Sequence, residues 1–376
     1  TNSGTANLTT DNDGATINMA SSTTGAYTLT GGAGVDTLTG GSGNDTIYGI
    51  GGADILNGGA GSDIIVAGAG DDVIIVSAAG EGDGDSMDGG GGANSLQIST
   101  GSHTFSNDVK IQNVQTVTLN SSGGTVTLTG QTEGMTITGG TGADIIVAGS
   151  GSDIITGGAG TDTITGAAGD DTISVGASDS AIDIVIMSIS DGLDLIVEFT
   201  AGSSNGDIFK YTGNLSDVES SANTSDGSDG SDQIVNSDFS NASKQASLDI
   251  TQLVVGFTTA VTQNGLSGGT AVDFGAVGMS ASQILGYVET ALENTNDGSG
   301  SGLLSGQTGT GVVAGDANEV KLLLVSDGGV GAAEDTAVVL YDEGGNSESD
   351  FANELSLLAI FDGVSVAALV HDNFYG

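Results

Sequence analysis

Apolar residues recur every nine positions along much of the first half of the chain. Leu29, Leu38 and Ile47 start one such series, and Ile146 and Ile155 belong to a second one further along. Each lies in a short run rich in Thr, Val and Ile, and glycine-rich segments separate successive runs. Short strands that alternate with tight turns at a fixed period predict a parallel β-solenoid.

The polar positions follow the same period. The repeating unit reads Gly-Gly-x-Gly-x-Asp-x-apolar-x, and it runs without a gap through residues 31–75 and again through residues 139–174. Residues 80–97 keep this frame loosely. All nine tight units have Asp at the sixth position, which a merely Gly-rich sequence would not maintain. The aspartates are Asp36, Asp45, Asp54, Asp63 and Asp72 in the first block, Asp85 in the loose section, and Asp144, Asp153, Asp162 and Asp171 in the second block.

Two units make one coil of 18 residues, so equivalent aspartates are predicted to stack along an edge of the solenoid. At the strand spacing of about 4.8 Å, each pair of like charges costs on the order of 1–3 kcal/mol. The expected stacks are Asp36, Asp54 and Asp72 on one edge with Asp45 and Asp63 on the other, then Asp144 and Asp162 on one edge with Asp153 and Asp171 on the other.

A divalent cation between successive turns would reverse this repulsion. Ca²⁺ accepts about 6–8 oxygen ligands, including carboxylates and backbone carbonyls, in flexible geometry, whereas Mg²⁺ demands a tight octahedron. Glycine costs roughly 0.5–1 kcal/mol relative to Ala in regular structure, but it lets the backbone turn its carbonyls towards such an ion. The glycines of the repeating unit are therefore explained by several bound Ca²⁺ ions.

The charge and composition restrict the partners. The 376 residues include 48 acidic side chains, four lysines and no arginine, for a formal net charge of -44. Nucleic acid is excluded as a partner, because phosphate binding needs clusters of Lys and Arg, and an anionic membrane surface is disfavoured. The sequence has no cysteine and no apolar run long enough for a transmembrane helix.

These units resemble the RTX nonapeptide repeat of bacterial proteins exported by type I secretion. The resemblance covers residues 31–97 and 139–174, and it implies a parallel β-roll with Ca²⁺ between the turns and export without a cleaved N-terminal signal. The overall composition is similar to that of surface-layer proteins of the RTX type. The departures from the pattern are Ile50, Ala67, Ala148 and Ala167 in place of glycine, and Asn94 in place of aspartate.

The domain organisation follows from where the repeat is present. We expect an all-β-dominated fold with one short helix, and a solenoid over residues 22–176. The predicted divisions are an N-terminal strand or cap at 1–30, the first β-roll block at 31–97, metal-poor coils at 98–138, the second block at 139–176, and a β-rich assembly and secretion region at 177–376.

The C-terminal region offers two further candidate ligands. The segment at residues 190–209 is similar to the one that often closes an RTX roll, which suggests Asp194 and Asp207 as ligands. Solvated loop acids are the alternative interpretation. Alternating apolar positions predict a strand around Ile184, and an amphipathic helix is predicted at 280–295 with a capping box. Further strands are predicted at 248–262, 320–326, 336–341 and 355–361, and a linker at 220–232.

Catalytic patterns are weak. The two histidines, His103 and His371, do not form an H-E-x-x-H motif. Two G-x-S-x-G matches, at 202–206 and 265–269, are of the kind that a sequence rich in Gly and Ser contains by accident. We therefore expect a protein that is not an enzyme.

Three hypotheses for function remain. The favoured one is a secreted, calcium-dependent structural protein that assembles with itself into a surface layer, sheet or filament on the bacterial cell. A cell-surface glycan or lipopolysaccharide is its expected anchor by resemblance. The second is a secreted adhesin or matrix-binding module, whose partner would be recognised by residues 177–376. The third is an RTX hydrolase.

Overall fold

The computed structural model describes the chain in segments that cover most of the first half and part of the second. Two compact units, Thr1–Asp183 and Ile184–Gly376, are each described by themselves. The described residues are 6–9, 13–23, 25–77, 84–99, 101–105, 110–120, 122–176, 180–188, 190–201, 206–212, 280, 282–285, 320–326, 335–342 and 355–364.

The first unit is built from short strands. In chain order they are β1 (Ala6–Thr9), β2 (Thr16–Asn18), β3 (Tyr27–Thr30), β4 (Thr37–Thr39), β5 (Thr46–Gly51), β6 (Ile55–Asn57), β7 (Ile64–Ala69), β8 (Val73–Val76), β9 (Ser86–Asp88), β10 (Ser95–Ile98), β11 (Ser102–Thr104), β12 (Ile111–Gln112), β13 (Thr116–Leu119), β14 (Thr125–Thr127), β15 (Thr136–Gly140), β16 (Ile145–Val147), β17 (Ile154–Gly158), β18 (Thr163–Thr165) and β19 (Thr172–Ser174).

Parallel pairing arranges these strands in three sheets, which we call sheets I, II and III. Their orders are β1-β3-β5-β7-β9-β12 in sheet I, β2-β4-β6-β8-β10-β13-β15-β17-β19 in sheet II and β11-β14-β16-β18 in sheet III. Within the repeat blocks each residue pairs with the one 18 positions later, as Thr37 does with Ile55 and Thr46 with Ile64. The prediction of a parallel β-solenoid is therefore confirmed.

The core of the solenoid consists of the recurring apolar residues. In the three-residue strands only the central side chain points inwards, as in β4 and β18, and its neighbours lie nearer to solvent. The predicted series is buried along its whole length, including the coils that lack aspartate. Its members are Leu29, Leu38, Ile47, Leu56, Ile65, Ile74, Val117, Leu119, Val126, Leu128, Met135, Ile137, Ile146, Ile155, Ile164 and Ile173.

The predicted limits of the solenoid, residues 22 and 176, are wrong at both ends. β1 pairs with β3, and β2 pairs with β4, so coils begin before residue 22. At the other end, the backbone N–H of Asp162 donates to the Asp183 carboxylate at 2.8 Å, which extends the stacking beyond residue 176. Sequence reasoning missed both because these coils are 21 residues long rather than 18.

The second unit combines parallel and antiparallel strands. They are β20 (Ile184–Met187), β21 (Asp194–Val197), β22 (Ile208–Tyr211), β23 (Val320–Ser326), β24 (Thr336–Asp342) and β25 (Leu355–Phe361). β20 pairs with β22 in parallel, and β21 pairs in parallel with β25. β24 lies between β23 and β25 and is antiparallel to both. Phe361 packs against Phe199 and Phe209, with ring centroids 4.5 and 5.6 Å away.

Most of the predictions that fall on described residues of this unit are confirmed. The strands at 320–326, 336–341 and 355–361 are β23, β24 and β25. In helix α1, described at residues 282–285, Ser280 and Gln283 form the predicted capping box, with Ser280 N–H donating to Gln283 Oε1 at 2.9 Å. The rest of that helix, the linker at 220–232 and the strand at 248–262 lie outside the described residues.

The strand around Ile184 is present, but the residues that it buries are not the isoleucines whose alternation predicted it. Val185 and Met187 are buried, whereas Ile184 and Ile186 are only half-buried. Both phases of this strand are apolar, so periodicity alone does not decide which face packs into the core.

Candidate metal sites along the aspartate rows

Each sixth-position aspartate lies at the residue before a strand, and its side chain is buried. Three rows form as a result. The first row, before strands of sheet II, contains Asp36, Asp54 and Asp72 and, in the second block, Asp153 and Asp171; the second row, before sheet I, contains Asp45, Asp63 and Asp85; the third row, before sheet III, contains Asp144 and Asp162 and ends at Asp183. None of these side chains is more than 3% exposed. The four predicted stacks are confirmed as neighbours in these rows.

One carboxylate oxygen of each aspartate holds the register between coils. The backbone N–H of Asp36 donates to Oδ1 of Asp54 at 2.8 Å, and that of Asp54 donates to Oδ1 of Asp72 at 2.8 Å. The same bond, at 2.7–2.8 Å, joins Asp45 to Asp63, Asp63 to Asp85, Asp144 to Asp162, Asp153 to Asp171 and Asp162 to Asp183. We call each of these hydrogen bonds between successive coils a rung. Every rung therefore depends on a side chain from the following coil.

The second carboxylate oxygen has different surroundings at different rungs. Oδ2 of Asp36 accepts from Gly32 N–H, and Oδ2 of Asp45 accepts from Gly41 N–H, both at 2.7 Å. Among the described residues, no donor reaches the buried Oδ2 atoms of Asp54, Asp72 and Asp144. A buried charged oxygen without a partner costs several kcal/mol in general. These atoms are the ones that a cation would satisfy.

A second oxygen approaches the same place from the next coil. An ideal Cβ added to Gly49, at the first position of its unit, would overlap both Oδ2 of Asp54 and the carbonyl oxygen of Ala67. Gly139 shows the same arrangement with Oδ2 of Asp144 and the Gly157 carbonyl. A carboxylate oxygen and a backbone carbonyl from adjacent coils therefore converge on one point. Only glycine leaves that point open.

The turns supply further oxygens between coils. The carbonyl oxygens of Gly43 and Gly52 lie where a Cβ on Gly61 and on Gly70 of the following coil would be. Gly61 and Gly70 both have φ of +142°, which side chains rarely adopt. Gly61 and Gly70, both at the fourth position of their units, therefore combine a left-handed backbone with a close approach that a side chain would block.

The donor set favours calcium. In the described part of the chain, no three acidic or histidine side chains converge on one point. A bound ion would therefore take a carboxylate oxygen and several backbone carbonyls, which is hard-oxygen chemistry suited to Ca²⁺ rather than to Zn²⁺. The residues present fit the predicted ion, although their role as ligands stays a prediction.

Burial disfavours the charged carboxylates when no ion is bound. The pKa of Asp54 is raised from 3.8 to about 6. Desolvation is the largest cause, the hydrogen bond from Asp36 N–H opposes it, and the charges of Asp72 and Asp36 add to the rise. Desolvation likewise raises the pKa of Asp72, Asp144 and Asp153. A bound cation acts in the opposite direction, because it favours the ionised form.

The remaining predicted ligands are all buried. Asp85 belongs to the second row at a spacing of 22 residues from Asp63. In the second unit, Asp194 begins β21, and Asp207 closes a loop by accepting from Thr200 N–H at 2.6 Å while its own N–H donates back to the Thr200 carbonyl at 2.8 Å. Asp194 and Asp207 are at most 1% exposed, so the alternative interpretation as solvated loop acids is wrong.

Sequence reasoning missed two members of the rows. Asp183 lies two residues before the buried Val185, which is the spacing of the repeat, but no glycine-rich turn marks it. Gln115 lies two residues before the buried Val117 and continues the first row by accepting from Asn94 N–H at 2.7 Å. In both cases the spacing between Asp or Gln and the apolar residue was the available signal.

Among the candidate catalytic residues, His103 falls in the described part of the chain. His103 is buried on β11, with its ring 6.4 Å from that of Phe105. His371 and the serines of both G-x-S-x-G matches, Ser204 and Ser267, lie outside the described residues. Among the residues that the structure does describe, no helix is long and apolar enough to cross a bilayer.

Comparison with protein families supports the repeat assignment. Four copies of the RTX calcium-binding nonapeptide repeat match the chain, at residues 23–50, 30–65, 48–78 and 138–173. No curated protein matches the chain. Residues 23–78 and 138–173 are therefore similar to RTX calcium-binding repeats, and proteins with such repeats are typically secreted.

Proposed function

We propose that this chain is an exported, calcium-dependent structural protein that assembles with itself on the bacterial cell surface, as a surface layer or a related sheet or filament. The observation that carries the calcium dependence is the buried Oδ2 of Asp54, which faces the Ala67 carbonyl of the next coil with no described donor between them. The repeat match at residues 30–65 includes Asp54 and supports the same ion.

Calcium binding couples folding to export. Asp54, Asp72 and Asp144, together with turn carbonyls, would hold the ions, and each ion supplies the positive charge that the stacked carboxylates lack. An ion that binds only the folded chain stabilises it by RT ln(1 + [Ca²⁺]/Kd), which is about 2.7 kcal/mol per site at 100 Kd. Extracellular calcium modules have Kd values of roughly 10⁻⁴–10⁻³ M. The coils would therefore fold outside the cell and stay largely unfolded in the cytosol.

The surface charge supports assembly through ions rather than through apolar contacts. A formal net charge of -44 makes copies of the chain repel one another at low divalent concentration. Ca²⁺ ions that bridge acidic faces would remove that repulsion. A structural role also fits the position of His103, which is buried where no substrate reaches it. A cell-surface glycan or lipopolysaccharide is the proposed anchor.

Electron microscopy of the purified protein tests this function. We expect ordered sheets or filaments in millimolar CaCl₂, and dispersed material after chelation or in the same concentration of MgCl₂. Protein that folds with calcium but stays monomeric at high concentration would contradict self-assembly. Binding of that monomer to a glycan or to cells would favour the adhesin.

A further inference from the structure

The first row contains one rung that differs chemically from the others. Asn94 occupies the aspartate position before β10 and is buried. It keeps the bond that holds the register, because Oδ1 of Asn94 accepts from Asp72 N–H at 3.0 Å. The coil that ends at this rung is 22 residues long instead of 18, and the second side-chain atom of Asn94 is an amide nitrogen instead of an oxygen.

That nitrogen has a partner, whereas no described donor reaches Oδ2 of Asp54. Nδ2 of Asn94 donates to the carbonyl oxygen of Asn113 at 2.9 Å. An ideal Cβ on Gly89 would overlap Nδ2 of Asn94 and the Asn113 carbonyl, just as a Cβ on Gly49 would overlap Oδ2 of Asp54 and the Ala67 carbonyl. The positions are equivalent: an oxygen faces a carbonyl at Asp54, and an N–H donor faces a carbonyl at Asn94.

The orientation of the Asn94 amide follows from its partners. Asp72 N–H is a donor and therefore requires the oxygen, while the Asn113 carbonyl is an acceptor and requires the NH₂ group. A flipped amide would lose both hydrogen bonds. The carboxamide is thus satisfied in one orientation, without an ion.

A second donor lies at the same level of the solenoid, near the last aspartate of the second row. Nζ of Lys110 donates to the carbonyl of Gly84 at 3.0 Å, next to Asp85. This ammonium belongs to one of only four lysines in the chain. A nitrogen donor therefore lies in each of the two rows or beside them where the aspartate-poor coils begin: the Asn94 amide in the first row, and the Lys110 ammonium on the residue before Asp85 in the second.

We propose that the Asn94 amide takes the place of a calcium ion in the first row, so that the rung between Asn94 and Asn113 is calcium-independent and marks the end of the first calcium-dependent block. Asn94→Asp would convert it into a calcium-dependent rung. Conversely, Asp54→Asn would place an amide opposite the Ala67 carbonyl and create a second calcium-independent rung. The inference rests on the proposed function only in that the aspartate rungs bind Ca²⁺.

The test compares calcium stoichiometry and metal-free stability in the full chain. Equilibrium dialysis with ⁴⁵Ca²⁺ counts the ions, and thermal unfolding followed by circular dichroism is run in EGTA and in saturating CaCl₂. We expect Asn94→Asp to bind one more ion than the wild type and to unfold about 5 °C or more lower in EGTA, because it loses the amide donor.

Asp54→Asn is expected to bind at least one ion fewer than the wild type and to unfold at a higher temperature in EGTA. Asn120→Asp adds the same charge outside the rows and serves as the control.

The outcomes separate the two claims. If the wild type binds no calcium, the proposed function fails. If the wild type binds calcium but Asn94→Asp changes neither the ion count nor the EGTA midpoint relative to Asn120→Asp, this inference is overturned and the proposed function stands. If Asn94→Asp unfolds even in saturating calcium, the reciprocal Asp54→Asn decides, since only the amide mechanism predicts that it gains stability in EGTA.

Discussion

The aspartate-bearing coils and the coils between residues 94 and 131 share a core but differ at their edges. Ile74, Val117 and Ile137 are equally buried, and each lies in a parallel strand of sheet II. In the aspartate-bearing coils the strands are joined by glycine turns whose carbonyls meet carboxylates. In the intervening coils, side-chain amides and local hydrogen bonds close the turns, as where Ser122 N–H donates to Asn120 Oδ1 at 2.8 Å.

This difference separates the residues that specify the fold from those that make its stability depend on calcium. The apolar period alone is enough to place a strand, because it continues through coils that have no aspartate. The aspartate and glycine positions add a place suited to an ion, because they bury carboxylates such as Asp54, whose Oδ2 no described donor reaches. Calcium dependence is therefore expected to be local to particular coils.

Removing calcium should have the largest effect. We expect EGTA to lower the midpoint of thermal unfolding, followed by circular dichroism, more than any substitution does, because the loss of several sites at about 2.7 kcal/mol each is comparable with the 5–15 kcal/mol that typically stabilises a folded domain. Hydrogen exchange should show the greatest loss of protection at residues 36–72 and 144–171. The same concentration of Mg²⁺ should not restore it. An unchanged spectrum and melting curve in EGTA would contradict the calcium interpretation.

The free energy of unfolding of the metal-free protein should fall as the pH rises through 6. This is the opposite of the usual effect of a carboxylate, whose pKa is normally lowered by folding. Because the pKa of Asp54 rises to about 6 in the fold, protonation favours folding: the contribution is full below about pH 4 and is lost as the pH rises through 6. Allowing for solvent screening, we expect on the order of 2 kcal/mol from this group. Urea unfolding of calcium-depleted protein at pH 4.5–7.5 measures it.

Asp54→Asn controls for the general loss of net charge at low pH. Its stability should vary less with pH than that of the wild type, because only the contribution of residue 54 is removed. In saturating calcium the wild-type dependence should weaken or reverse, since the ion favours the ionised carboxylate. Equal slopes for the two proteins without calcium would show that the Asp54 carboxyl is not the group responsible.

The turn geometry can be broken at a single glycine. In Gly70→Ala the new methyl group would overlap the Gly52 carbonyl, and the residue would keep a φ of +142° that alanine resists. We expect a loss of about 2–3 kcal/mol in calcium and weaker calcium binding. Gly91→Ala is the matched control, because no described atom lies within 4 Å of its added Cβ. Similar melting temperatures for the two variants would contradict the close approach between coils.

The repeat made the fold of residues 31–174 predictable, down to the stacking partner of each aspartate. Asp54 and Leu56 together fix both the strand phase and the edge, because an acid precedes each buried residue by two positions. The edge at Asp183 was not predictable in the same way: the strand that follows is apolar on both faces, and the coil length changes from 18 to 21 residues. Periodicity fails where the period itself changes.

The hydrogen-bond roles within the site also lay beyond the sequence. A repeat pattern shows that Asn94 replaces an aspartate, but it does not show which carbonyl its amide meets. That partner, Asn113, lies 19 residues away in a coil without the repeat. Likewise, the sequence left Asp207 open between ligand and loop acid, because burial of a loop residue depends on packing that no local pattern encodes.

The smallest expected effect concerns a departure from the glycine pattern. Ile50 stands at the second position of its unit with φ of 81°, a left-handed conformation that is costly for a β-branched residue. Its side chain is 54% exposed, so little packing is lost on its removal. We expect Ile50→Gly to stabilise the calcium-bound protein by about 1 kcal/mol, measured as a rise of roughly 2–4 °C in Tm. Ile64→Gly is the matched control, because Ile64 is 50% exposed in the adjacent strand without a positive φ. Ile64→Gly should lower Tm. A lower Tm in Ile50→Gly as well would mean that the turn at residue 50 does not favour glycine.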